Sequence, residues 1–179
     1  YPVVRHDFEN AGKAANEIKR LLRERNVDTR VTRRIAVAAY ELEINICIHS
    51  HGGTLAMIVS KGVAEIVAKD TGPGIEDVEW ACQDGTSTAN DWIRSLGFGA
   101  GMGLANSKRV SDHFEIKSAL DKGTTIRCKF DLRGPARAGR PGHRSPPATA
   151  STSSARSVPP TAVTSPSCTQ TTAVIVPSR

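Results

Sequence analysis

"LGFGAGMGLANSKR", residues 96–109, sets four glycines at alternate positions, Gly97, Gly99, Gly101 and Gly103, and then runs into a helical pattern. Glycine costs up to about 1 kcal/mol against alanine in regular structure, so four in one short stretch need a reason. A flexible surface loop would supply one, but such loops continue into polar residues. This one closes on Met102 and Leu104 and continues "ANSKRVSDHF", an amphipathic pattern. Glycines leading into a helix N-terminus present backbone N–H groups beside a positive dipole end, a cradle for anions and phosphates. The spacing matches neither G-x-x-x-x-G-K-[ST] nor a G-x-G-x-x-G after a strand, so the common P-loop and Rossmann readings fail.

Working toward the N-terminus, "TLAMIVS", a "KG" turn and "VAEIVAKD" read as a β-hairpin whose second strand ends at Asp70, followed at once by "DTGPGI". An acid at a strand end before a Gly-Pro-Gly turn either caps that turn or offers a carboxylate to a ligand at the mouth of a sheet. Upstream, "RVTRRIAVAAYELEINICIHS" predicts a helix capped by Asp28 or Thr29. Glu41, Asn45 and His49 stand four apart on it and so share a face. That stripe is either solvated or turned into a cleft; the apolar residues around it, Leu42, Ile44, Ile46 and Ile48, favour the cleft. A first strand in "YPVVRHDF" and a helix over "AGKAANEIKRLLRERN", capped by Asn10, precede it.

Residues 76–96 begin as a short helix and give way to Gly, Ser, Thr and Asn, a pattern expected of a mobile lid, with Trp92 and Ile93 as apolar contacts for a partner or a ligand. Beyond the glycines, a helix from about Leu104 to Asp112 leads to a closing hairpin, "HFEIKSA", "LDKG", "TTIRCKFDL". The order β, α, α, β, β, lid, α, β, β predicts an α+β two-layer sandwich, a mixed sheet covered by helices on one face.

Composition divides the 179 residues in two. All 18 acidic residues and 18 of the 24 Lys and Arg lie before residue 133, leaving 1–132 formally neutral, and the net charge of +6 belongs to the last 47 residues. Residues 133–179 contain no acid and no Phe, Trp, Tyr, Leu or Met, so they are expected to be a disordered basic tail. The neutral folded part gives no reason to expect nucleic acid. The four cysteines form no C-x-x-C pair, and no apolar run is long enough to span a membrane, so a reducing cytoplasm is the expectation.

Taken in order, E-x-x-x-N-x-x-x-H on a helix, D-x-G-P-G-I after a strand, G-F-G-A-G-M-G-L entering a helix and K-G-T-T in the last hairpin resemble the four nucleotide boxes of the GHKL family, the Bergerat ATP-binding fold of gyrase, Hsp90, histidine kinases and MutL. The chain looks most like the small serine/threonine kinases of bacterial sigma-factor regulation, the anti-sigma factors and the stressosome switch kinase. Glu41 stands before Asn45 as that group's catalytic base stands before its magnesium ligand.

The resemblance implies ATP and Mg²⁺ as cofactors. It implies that Asp70 accepts from the adenine amino group, that Gly72 and Gly74 let the backbone approach the base, and that Thr124 supports the same end. Asn45 would hold the ion, and Gly99, Gly101 and Gly103, with the amides of Met102 and Leu104, would wrap the phosphates. Glu41 would be the base. It further implies a STAS-domain anti-anti-sigma or stressosome protein as substrate, a sigma factor or downstream phosphatase as further partners, and homodimers or recruitment into a large complex. His49 reads as a half-buried helix-end histidine, and Lys108 and Arg109 as decoration of their helix. A binding module that uses ATP occupancy to sequester a sigma factor is the rival reading, and an ATPase fragment of a larger machine a third.

Overall fold

A computed structural model of the chain describes residues 1–133 and the backbone of Ala173–Ile175. The elements are β1 (Pro2–Val3), α1 (Lys13–Glu24), α2 (Thr29–His49), β2 (Gly53–Ser60), β3 (Val63–Asp70), α3 (Val78–Ala81), α4 (Asp91–Ser95), α5 (Gly103–Val110), β4 (His113–Ala119), β5 (Gly123–Asp131) and β6 (Ala173–Ile175). The main sheet has the order β1-β2-β3-β5-β4. Burial alternates along β3 and β5, so one sheet face is covered and the two-layer sandwich holds.

Each pairing is antiparallel, where a mixed sheet was expected. The cause is the route of the chain. The β3 strand ends at Asp70, and α5 then carries the chain back to the far end of the sheet before β4 starts. Strands β3 and β4 therefore run the same way, but β5 inserts between them and pairs with both.

Helix α2 is the spine of the core. Asp28 caps it, accepting from the amides of Arg30 at 2.8 Å and Val31 at 3.3 Å. Val31, Ile35, Ala38 and Leu42 recur at helical spacing and have no exposed surface. They meet Leu55, Ile66, Cys128 and Phe130 from the sheet; each large apolar side chain so buried contributes about 1.5–3 kcal/mol.

The expected cap of α1 is replaced. Asn10 turns to Asp7 at 2.6 Å, and Gly12, at φ 88°, precedes the helix with no side-chain cap. Its first amides donate instead to Glu43, Ala14 N to Oε1 at 3.2 Å and Ala15 N to Oε2 at 3.0 Å. Glu43 is 1% exposed. Burial raises its pKa and the amides, at a positive helix end, pull it back.

The lid carries two short helices, α3 and α4, and packs on the chain itself. Ile93 is buried with Ile44 and Ile48 of α2, while Trp92 sets its edge against His6 and Phe8. The apolar pair that the sequence offers to a partner or ligand thus anchors the lid. The tail expected to be disordered lies outside the described residues, apart from Arg133 and Ala173–Ile175. Those last three form β6, pairing with Met57–Val59 of β2 beyond the two residues that β1 covers.

Among the described residues Cys47, Cys82 and Cys128 are free, no metal-ligating cluster occurs, and no helix is long and apolar enough to cross a membrane.

Candidate functional site

A cavity of about 860 Å³ lies between α2, the end of β3, the lid and the start of α5. Of the residues singled out in the sequence, Glu41, Asn45, Asp70, Gly74, Gly99, Gly101, Met102, Gly103, Leu104 and Thr124 line it. Gly72 stands behind the wall, where a Cβ would meet Ser50 Cα at 3.0 Å and Asp70 Oδ1 at 3.2 Å. The Glu41, Asn45 and His49 stripe faces the cleft.

One end is built around Asp70. Its Oδ1 accepts from Thr124 N at 3.2 Å. Burial pushes its carboxyl above the ordinary range, opposed by that amide and by His51. The approach depends on Gly123, at φ 80°, because a Cβ there would meet the Asp70 carbonyl oxygen at 2.2 Å. Gly74, at φ 74°, likewise lets the Gly-Pro-Gly turn lie on β4, where a Cβ would meet Ala119 O at 2.2 Å. Ser118, which the sequence reading missed, joins the two: its Oγ accepts from Ile75 N at 2.8 Å and lies 2.9 Å from Thr124 Oγ1.

At the other end, Glu41 and Asn45 flank the first residue of α5. A Cβ on Gly103 would stand 3.0 Å from both amide atoms of Asn45 and 3.3 Å from Glu41 Oε2. Nδ2 of Asn45 is buried and has no hydrogen-bond partner among the described residues, an arrangement that needs an explanation. Glu41 Oε1 accepts from Asn106 Nδ2 at 2.9 Å. His49 Nδ1 lies 3.3 Å from Thr88 Oγ1 of the lid, and burial lowers its pKa. The start of α5, Met102 to Leu104, lines the cavity, and with no side-chain cap its positive dipole end is left open there.

Gly97, Gly99 and Gly101 all have positive φ. A Cβ on Gly99 would stand 2.4 Å from Ala89 Cβ, and one on Gly101 would stand 2.5–2.6 Å from the backbone of Gly85 and Thr86. The open sides of Gly99 and Gly101 are therefore turned to the lid, whereas that of Gly97 meets nothing within 4 Å. Gly85 N donates to Gly101 O at 2.9 Å, joining the two segments. Arg109 does not line the cavity; on the exposed face of α5 its guanidinium donates to both carboxylate oxygens of Asp84, at 2.9 and 3.0 Å, and to Asn106 Oδ1 at 2.8 Å.

An uncapped helix end and the half-buried Asp70 thus share one cavity, which Glu41 and Asn45 also line. The histidine kinase-like ATPase domain family matches residues 4–130, and the chain belongs to that family. It is 34% identical over 104 residues to serine/threonine-protein kinase RsbT of Bacillus subtilis (strain 168), covering 56% of this chain and 72% of that one. It is 38% identical over 77 residues to anti-sigma F factor of Heyndrickxia coagulans, covering 43% of this chain and 49% of the other. Among solved structures it is similar to a mycobacterial sensor histidine kinase, MprB, with TM-score 0.44 and 21% identity over 72% of this chain and 95% of that one. Within the family the chain is an ATP-dependent serine/threonine kinase, similar also to an anti-sigma factor.

Proposed function

We propose that the chain transfers the γ-phosphoryl group of ATP to a serine or threonine hydroxyl of a STAS-type anti-anti-sigma or stressosome protein, with residues 1–132 as the kinase domain. The observation that carries this reading is the meeting of Glu41 and Asn45 at Gly103, where α5 starts, in the cavity that Asp70 lines at its other end.

Asp70 accepts from the adenine amino group, Gly72 and Gly74 let the turn pack against Ser50 and Ala119 so that it borders the base, and Thr124 holds Asp70 through its amide. The amides of Met102 and Leu104, with Gly99, Gly101 and Gly103, cradle the phosphates at the positive end of α5. Glu41 orients the acceptor hydroxyl and takes its proton; phosphoryl transfer asks mainly for positioning and charge stabilisation, so one carboxylate there suffices.

Asn45 suits Mg²⁺ because its carboxamide lines the cavity, and its buried Nδ2, with no partner among the described residues, is left to donate to a phosphate oxygen. The amide oxygen would hold the ion, which would neutralise phosphate charge and take its other oxygens from water and substrate.

The test is calorimetric titration of the full chain with ATP and Mg²⁺, wild type against Asn45→Ala, followed by phosphorylation of a panel of STAS-domain proteins read by mass spectrometry. Magnesium-dependent binding lost in the variant, with a phosphorylated Ser or Thr, is expected. Binding without transfer to any acceptor would overturn the kinase reading in favour of an ATP-dependent sequestering module.

A further inference from the structure

Glu41 does not stand alone on α2. Its Oε1 accepts from Asn106 Nδ2 at 2.9 Å; Oδ1 of the same amide accepts from Arg109 Nη1 at 2.8 Å; Arg109 Nη2 in turn holds both oxygens of Asp84. The four groups alternate in polarity from the lid to the cavity: carboxylate, guanidinium, amide, carboxylate. An asparagine amide has two orientations, and only one suits both neighbours. Flipped, its oxygen would face Glu41 and its NH₂ would face the guanidinium. Arg109 thereby selects the orientation that aims a donor at Glu41.

We propose that Asn106 is the positioning residue for Glu41, and that Arg109 links this position to the lid through Asp84. The inference rests on Glu41 being the base. With one oxygen held by Asn106, Glu41 keeps Oε2 on the side of Gly103, beside Asn45. The Arg109–Asp84 pair is more than half exposed, so it is weak and screened by salt. It is suited to forming and parting as the lid moves, whereas the half-buried Asn106 contact is the firmer one.

The experiment uses the full chain and three variants. Asn106→Leu removes both hydrogen bonds at similar size. Asn106→Asp keeps an acceptor for Arg109 but sets a carboxylate against Glu41. Asp84→Ala releases the lid end. The expected result is a fall in kcat of at least tenfold for Asn106→Leu and Asn106→Asp, with ATP affinity by calorimetry within twofold of wild type, and a smaller fall for Asp84→Ala. A merely structural contact would move kcat and ATP affinity together, and that outcome overturns the proposal, as does unchanged kcat in Asn106→Leu.

A second readout needs no activity. In ¹⁵N-labelled protein the Asn106 side-chain amide resonances should move in both Glu41→Ala and Asp84→Ala; resonances that stay put in both overturn the proposal. Absence of phosphotransfer by the wild type would defeat the kinase reading alone, since the resonances still decide where Asn106 is held.

Discussion

Replacing Gly103 by alanine sets two effects against each other. Alanine is favoured over glycine by up to about 1 kcal/mol inside a helix, and by less at the first helical position. Against this, the new methyl would stand 3.0 Å from both amide atoms of Asn45 and 3.3 Å from Glu41 Oε2, so these neighbours must give by a few tenths of an ångström. Overpacking of this kind costs about 1–3 kcal/mol, so the net loss of stability should stay below about 3 kcal/mol. Function should suffer more. A misplacement of about 1 Å can cost roughly 10²-fold in rate, so a shift of a few tenths, imposed on the proposed base and the proposed metal ligand together, should lower phosphotransfer about tenfold or more.

Thermal melts, calorimetry with ATP and Mg²⁺, and single-turnover transfer separate these terms. Gly97→Ala is the control: its φ of 86° strains the backbone, but no atom lies within 4 Å of the added Cβ. It should lose about 1–2 kcal/mol of local stability and keep the site. Wild-type affinity and rate in Gly103→Ala would refute the placing of Glu41 and Asn45 at the reacting phosphate.

Asp70→Asn should weaken ATP binding tenfold or more, whereas Glu41→Ala should spare binding and abolish transfer; equal losses of affinity in titrations of the two would remove the reason for giving them different roles. Phe130→Ala should cost about 3–5 kcal/mol in denaturant unfolding, because the ring has no exposed surface. For Glu43 the folded pKa is raised by burial, so the native state binds the extra proton and stability is lost as pH rises through and above the ordinary value of 4.5. The stability difference between Glu43→Gln and wild type should accordingly move in favour of the variant as pH rises, and a pH-independent difference would count against the burial argument.

The hairpin of β2 and β3, the α2 spine and the closing hairpin were legible because period-2 and period-3.6 patterns run long enough in them to be read. The cavity-facing stripe was legible because four-residue spacing fixes a helix face. Helix α4 was not, since five residues are too few for a period. Glu43 was also hidden: it caps a helix 28 residues away, a pairing that only the packing of α1 on α2 creates. Asn106, Arg109 and Ser118 carry ordinary surface residue types, and their partners lie 65, 25 and 43 positions distant. The glycine loop was read correctly as needing backbone freedom. Its sequence could not reveal that residues 85–89 occupy the space beside Gly99 and Gly101.

That packing sets which positions of the segment are free to drift. Ala89 stands where any larger side chain would press on Gly99, and the backbone at Gly85 and Thr86 runs where a side chain at 101 would be. The lid and the glycine loop are thus cast against each other, and a change in one calls for a matching change in the other. Insertions are best borne around the exposed Leu96, past the end of α4. A graft of the glycine loop into another scaffold would need residues 85–89 carried with it as its mould.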